Sequence, residues 1–286
     1  MRFGLALTLL AIGLAPPASA AEATASLDVT PFLIGPHSEP LVSVRVNGAG
    51  PFVFILDTGS SHTSISDELA LMLDARAVAK ATVTTSLGEG LCAVVRLDRL
   101  EFGPLDVSDV LTSAVPAVGL DQRRRIQGVI GQDVLAGHRY TLDFQNREVI
   151  WNPPPTSRSN DASAFALRFE RERFVVELPQ NGSTLHLVPD SGAEGLVLFE
   201  RPRVELPAMT FLPGRSWLST LSERREVRPI SLLELRIGIA TLQNVPAVLV
   251  YRDDADHSKV DGLLPLHLFE RVTFDGPGRT LTIEPR

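Results

Sequence analysis

The sequence predicts an all-β protein built as two similar lobes, and three observations carry that prediction. Short apolar runs broken by Gly, Pro, Asn and Asp turn signals follow one another from Leu41 onward, while the long 3.6-residue periodicity of helices is missing from both halves. Residues 97–115 align with 232–250 without a gap, matching Leu97 with Leu232, Leu100 with Leu235, Gly103 with Gly238, Val110 with Val245 and Val115 with Val250. An apolar run ending in Asp57-Thr58-Gly59-Ser60 has a second version 133 positions on, ending in Asp190-Ser191-Gly192-Ala193. Segments that agree in one linear order point to an internal duplication.

The elements can be justified in chain order. Arg2, the apolar run Phe3 to Leu14 and the small-residue site Ala18-Ser19-Ala20 make residues 1–20 a signal peptide, too short to span a bilayer. No Cys at the cleavage point offers a lipid attachment site, so the expected location is periplasmic or secreted. Residues 21–40 read equally as an ordered strand or a trimmed tail. Leu41 to Val46 alternates with period two and meets Asn47-Gly48, a hairpin turn signal, before a strand from Pro51 to Leu56. Ser66 with Asp67 and Glu68 behind it caps a short helix running to about Leu73. Ala81 to Val95 then forms a hairpin around Leu87-Gly88-Glu89-Gly90. The second half repeats the order with a strand at Phe174 to Leu178, the turn Asn181-Gly182 and a strand at Thr184 to Val188. Gly128-Val129-Ile130-Gly131 through Phe144 is mirrored by Gly262-Leu263-Leu264-Pro265 through Asp275, and the stretch from Pro153 to Asp161 between the copies has linker composition.

Composition narrows the function classes. With 286 residues, 44% hydrophobic and 21% charged, the chain can bury a full core. The formal net charge of −7 becomes −8 once Arg2 leaves with the leader, which disfavours a nucleic-acid partner, and Arg123-Arg124-Arg125 reads as a solvated loop. The lone Cys92 excludes an intrachain disulfide and is expected to be a small buried hydrophobe.

At the two acid turns the sequence resembles the aspartic proteases of the pepsin and retropepsin type, in the bacterial exported form with two fused retropepsin-like lobes. The likeness runs from about Leu27 to the C-terminus. It implies a bilobal acid-protease-like fold, two β-barrel lobes at 27–155 and 162–286 with a few short helices and a cleft between them. It also implies a catalytic dyad of Asp57 and Asp190, with Thr58 and Ser191 locking the two loops together, Gly59 and Gly192 allowing close approach, and Ser60 and Ala193 completing the loops. Ile130-Gly131 would pack under the first loop, and Leu87, Gly88 and Gly90 would form the tip of a flap over the substrate. Two carboxyls about 3 Å apart cannot both ionise cheaply, so one proton is shared and the pair activates a water against a peptide carbonyl. The resemblance implies no cofactor and no metal, a peptide or protein substrate, and a monomer with pseudo-two-fold lobes.

Other residues carry blander expectations. His62 is a polar loop residue, since no Gly-x-Ser-x-Gly elbow surrounds its serines. His186 and His267 are satisfied structural side chains, and Trp151 and Trp217 are packing residues. Two departures from the family pattern, Pro189 before the second acid and Pro265 in place of Gly131, favour a rival reading: a catalytically impaired peptide-binding or assembly protein on the same scaffold. Because Ala193 lacks the hydroxyl of Ser60, a bond that would stabilise ionised Asp190 is lost. The activity optimum is therefore expected to be less acid than that of gastric enzymes, and a pH profile reaching full rate only below about pH 3 would contradict it.

Overall fold

The computed structural model describes residues 28–84, 89–116, 126–154, 162–180, 182–200, 206–219, 224–251 and 259–286. The first half supplies strands β1 (Asp28–Pro31), β2 (Leu33–Ile34), β3 (Pro40–Val46), β4 (Ala49–Leu56), β5 (Ser64–Ser66), β6 (Ala77–Thr84), β7 (Glu89–Phe102), β8 (Leu105–Val115), β9 (Ile126–Ile130), β10 (Arg139–Asp143) and β11 (Glu148–Trp151), with short helices α1 (Asp67–Met72) and α2 (Gln132–Leu135). The second half supplies β12 (Ser163–Glu170), β13 (Arg173–Pro179), β14 (Thr184–Asp190), β15 (Leu196–Glu200), β16 (Met209–Phe211), β17 (Ser216–Ser219), β18 (Arg224–Ile237), β19 (Ala240–Tyr251), β20 (Gly262–Pro265), β21 (Arg271–Asp275) and β22 (Thr280–Glu284), with one 3-10 turn at Leu266–Leu268.

The two halves repeat one topology. In the first lobe the strand order β3-β4-β9-β5-β8-β7 is closed into a barrel by a further β3–β7 pairing. In the second, β13-β14-β20-β15-β19-β18 follows the same path. There Gln180 bridges the open seam, its Nε2 donating to the Arg236 carbonyl and its Oε1 accepting from the Arg236 N–H. In both lobes the strand bearing the acid lies parallel to its neighbour, β4 against β9 and β14 against β20.

Local chemistry explains the matched turns. Asn47 (φ 49) and Gly48 (φ 76) adopt the left-handed backbone that a two-residue hairpin turn demands, and Val46 pairs with Ala49 across it. The long hairpins β7–β8 and β18–β19 turn at Gly103 (φ 55) and Gly238 (φ 61), and each ladder skips a pair at a second left-handed residue, Asp109 (φ 57) or Asn244 (φ 54). Ser66 caps α1 by accepting from the Leu69 N–H at 3.0 Å. Residues 28–31, left open between strand and tail by sequence, are strand β1.

A second layer of pairing joins the lobes. β1, β11 and β10 from the first half continue through β21, β22 and β12 from the second into one sheet. At its centre β10 and β21 run antiparallel with Thr141 opposite Thr273, their hydroxyls 2.7 Å apart, which marks the pseudo-two-fold axis. Tyr140 stacks on Phe274 at 5.1 Å beside Trp151, so one apolar core runs through both lobes.

Two expectations need correction. Cys92 is half-buried because it lies in the β6–β7 hairpin, opposite Ala81, and partial burial pushes its thiol up. Trp217 is 49% exposed on β17, whereas Trp151 is a core residue as expected. Leu87, Gly88, Asn181, Arg123-Arg124-Arg125 and the leader fall outside the described residues.

A Cβ at Gly103 would meet Thr30 Oγ1 at 2.3 Å and Trp151 Nε1 at 2.8 Å, two atoms hydrogen-bonded to each other, on a backbone that already disfavours side chains. Gly103→Ala is expected to destabilise the fold by about 1–3 kcal/mol, read as a lower urea midpoint with unchanged slope.

Candidate active site

Each acid sits where a strand gives way to a small-residue turn. Asp57 follows the last residue of β4, and its N–H donates to the Ile130 carbonyl of β9 at 3.0 Å. Asp190 ends β14 and pairs with Pro265 of β20. The turns themselves interlock. Thr58 Oγ1 donates to the Pro189 carbonyl at 2.8 Å and accepts from the Ser191 N–H at 3.0 Å. Ser191 Oγ donates to the Leu56 carbonyl at 2.6 Å and accepts from the Thr58 N–H at 3.0 Å. Both hydroxyl residues are fully buried, so these four bonds form without competition from water.

The lock brings the two carboxyls together. Asp57 and Asp190 lie against each other, close enough for each to shift the titration of the other. A Cβ on Gly59 would lie 2.4 Å from the Asp190 carboxyl carbon, and one on Gly192 would lie 2.9 Å from that of Asp57. Neither glycine has a left-handed backbone, so the demand on both is close approach to the opposite acid. Asp57 Oδ1 also accepts from the Gly59 and Ser60 N–H groups at 2.9 and 3.0 Å, and Asp190 Oδ1 accepts from Gly192 at 2.8 Å. Asp57 is half-buried and Asp190 is buried.

Burial raises both carboxyls. Burial pushes the Asp57 carboxyl up, an effect opposed by its bond to Asp190, by the two loop N–H donors and by the charge of Arg173. Burial pushes Asp190 well above the usual carboxylate range, and the charge of Asp57 beside it adds to the rise. The two carboxyls therefore titrate as one pair, raised as a whole above the ordinary carboxylate range.

Beneath the first loop, Gly131 packs as expected: a Cβ there would lie 2.5 Å from the His62 carbonyl carbon. The Gln132 and Asp133 N–H groups donate to the Ser60 and Ser61 carbonyls, and the Asp133 carboxylate takes the Thr63 N–H and hydroxyl. A model of the aspartyl protease family matches the chain twice, over residues 42–134 and 176–267. The chain belongs to the aspartyl protease family. No curated protein sequence matches it. Among solved structures it is similar to the basic 7S globulin of soybean, with a TM-score of 0.52 and 11% identity over 90% of this chain and 94% of the globulin. It is likewise similar to conglutin gamma, a basic 7S globulin from lupine seeds, with a TM-score of 0.50 and 11% identity over 91% and 95%. At that identity the likeness concerns the fold.

For an aspartyl protease homologue, the two prolines remove none of the four lock bonds. Pro189 contributes its carbonyl to the lock, and the N–H it lacks is not one of the four bonds. Pro265 opens the 3-10 turn as Gly131 opens α2. Ser60 departs from expectation: its hydroxyl donates to the His62 carbonyl at 2.9 Å, and only its N–H reaches Asp57. The serine side chain turns back into its own loop, so burial, not a lost hydroxyl, raises the second acid.

His62 is an exposed loop residue 3.3 Å from Glu172, and His186 is satisfied by Asp261 at 3.0 Å. His267 is satisfied only in part: its ring meets the Ala193 backbone, its Nδ1 is buried without a partner among the described residues, and burial pushes its pKa down. The sequence reading missed Gln132, whose Nε2 donates to the Thr58 carbonyl at 2.7 Å. It also missed a second hairpin. Ser219 pairs with Arg224 as Thr84 pairs with Glu89, at the offset that relates Leu232 to Leu97. Extended backward from Leu97, the ungapped alignment gives one identity over this stretch, Thr85 with Thr220, so the hairpin left almost no trace in the sequence. Gly90 lies in the first of these hairpins, opposite Val83.

Replacing Thr58 by Val leaves the Ser191 N–H and the Pro189 carbonyl buried without their partner. Thr58→Val and Ser191→Ala should each destabilise by about 2–4 kcal/mol, and the double variant should cost less than their sum, as measured by urea unfolding.

Proposed function

We propose that this chain is an exported endopeptidase that hydrolyses peptide bonds through the Asp57 and Asp190 pair, acting as a monomer because both acids lie in one chain. The observation that supports this reading is the meeting of the two carboxyls, each pressed against the glycine of the opposite turn, above the buried Thr58 and Ser191 lock. Half-buried Asp57 is open to a water molecule, while buried Asp190 keeps a proton to give.

In the reaction the Asp57 carboxylate takes a proton from the bound water as its oxygen attacks the peptide carbonyl carbon. Asp190 donates its hydrogen bond to the carbonyl oxygen, stabilising the charge that develops there. Collapse of the tetrahedral intermediate breaks the C–N bond, and the proton carried by Asp57 passes to the leaving nitrogen. The substrate lies extended and adds backbone hydrogen bonds in the manner of an extra strand, with the β6–β7 hairpin on one side and its counterpart β17–β18 on the other. Export follows from the leader read in residues 1–20.

Activity requires one proton on the pair. It is lost at low pH when Asp57 stays protonated and at high pH when Asp190 ionises, which gives a bell. Burial raises both groups, so both limbs shift to higher pH. Asp57→Asn and Asp190→Asn should each abolish cleavage of a mixed peptide library, and a statine-type peptide should inhibit the unaltered chain. Cleavage retained in Asp190→Asn would overturn the dyad.

A further inference from the structure

The lock treats the two acids alike, yet one buried residue does not. Thr58 C=O and Gly59 N–H belong to a single planar peptide unit. Its carbonyl accepts from Gln132 Nε2 at 2.7 Å, and its N–H donates to Asp57 Oδ1 at 2.9 Å. A hydrogen bond at one end of a peptide unit polarises the other end, so the Gln132 amide strengthens the donor that faces Asp57. In the second lobe the corresponding unit, Ser191 C=O with Gly192 N–H, donates to Asp190 Oδ1 at 2.8 Å. The residue at the matching place, directly after the N-cap Pro265, is Leu266, whose side chain has no donor. Gln132 and Leu266 are both buried, so neither position is open to solvent.

We propose that Gln132 is a positioning residue that makes the two acids unequal, by fixing and polarising the peptide plane that donates to Asp57. Gln132 touches neither carboxyl itself. The fully buried Tyr140, which stacks on Phe274 of the other lobe, is a polar neighbour of Gln132.

This inference rests on the dyad reading above, and its test separates the two. Gln132→Met keeps the length and volume of the side chain and removes the amide, and Gln132→Leu copies the second lobe. In the full chain with ¹³C-carboxyl-labelled aspartate, NMR follows the first ionisation of the pair, with near-ultraviolet circular dichroism checking that each variant is folded. The expected result is a first ionisation moved up by roughly half a pH unit, about threefold in its constant, in both variants. With a peptide substrate the acid limb of kcat should move by the same amount, with KM unchanged. A folded Gln132→Met whose carboxyl titration coincides with that of the unaltered chain would overturn the proposal. If the unaltered chain cleaves no peptide, the hydrolytic reading fails, while the carboxyl titration still decides the role of Gln132.

Discussion

Four hydrogen bonds between Thr58 and Ser191 and the strands that precede them hold two acid-bearing turns face to face. The meeting of the two carboxyls depends on that lock. Two carboxyls brought side by side repel each other once ionised, and burial makes each charge harder to carry. Only a rigid, water-free scaffold beneath them keeps the pair in contact. Thr58 and Ser191 meet this demand because each hydroxyl both donates and accepts, so two side chains satisfy four buried backbone groups at once. Gly59 and Gly192 complete the arrangement by leaving out the one carbon that would collide with the opposite acid.

The lock is possible because the chain is a duplication folded around an axis. That axis passes between the acids and again between Thr141 and Thr273, where β10 and β21 pair. A sheet built from three strands of each half fixes the lobes relative to each other, and the shared core of Tyr140, Trp151 and Phe274 removes the freedom of a hinge there. The acids can be held by short turns because the lobes are already registered elsewhere.

Departures from symmetry occur directly under the loops. Pro189 leaves the lock intact because the lock uses its carbonyl, whereas Pro265 lacks the N–H that Gly131 gives to Thr63 in the first lobe. Gln132 against Leu266, and Asp133 against His267, change what supports each loop. A symmetric lock with unequal supports suits chemistry in which one carboxyl must be a base while its neighbour remains an acid.

The sequence by itself determined the repeat, the strands and the identity of the two acids. These are written locally: alternation with period two, Asn47-Gly48 and Gly103 as turns that need left-handed backbone, and Asp-Thr-Gly and Asp-Ser-Gly as turns that expose a carboxylate. Tertiary structure alone decided the rest. That Asp57 contacts Asp190, that Ser60 turns its hydroxyl away from the acid, that Trp217 stays exposed while Trp151 is buried, and that Gln132 reaches Thr58 all depend on pairs of residues far apart in the chain. Such contacts leave no periodic trace, because a side chain's partner across a fold is set by where whole strands dock and not by its neighbours in sequence.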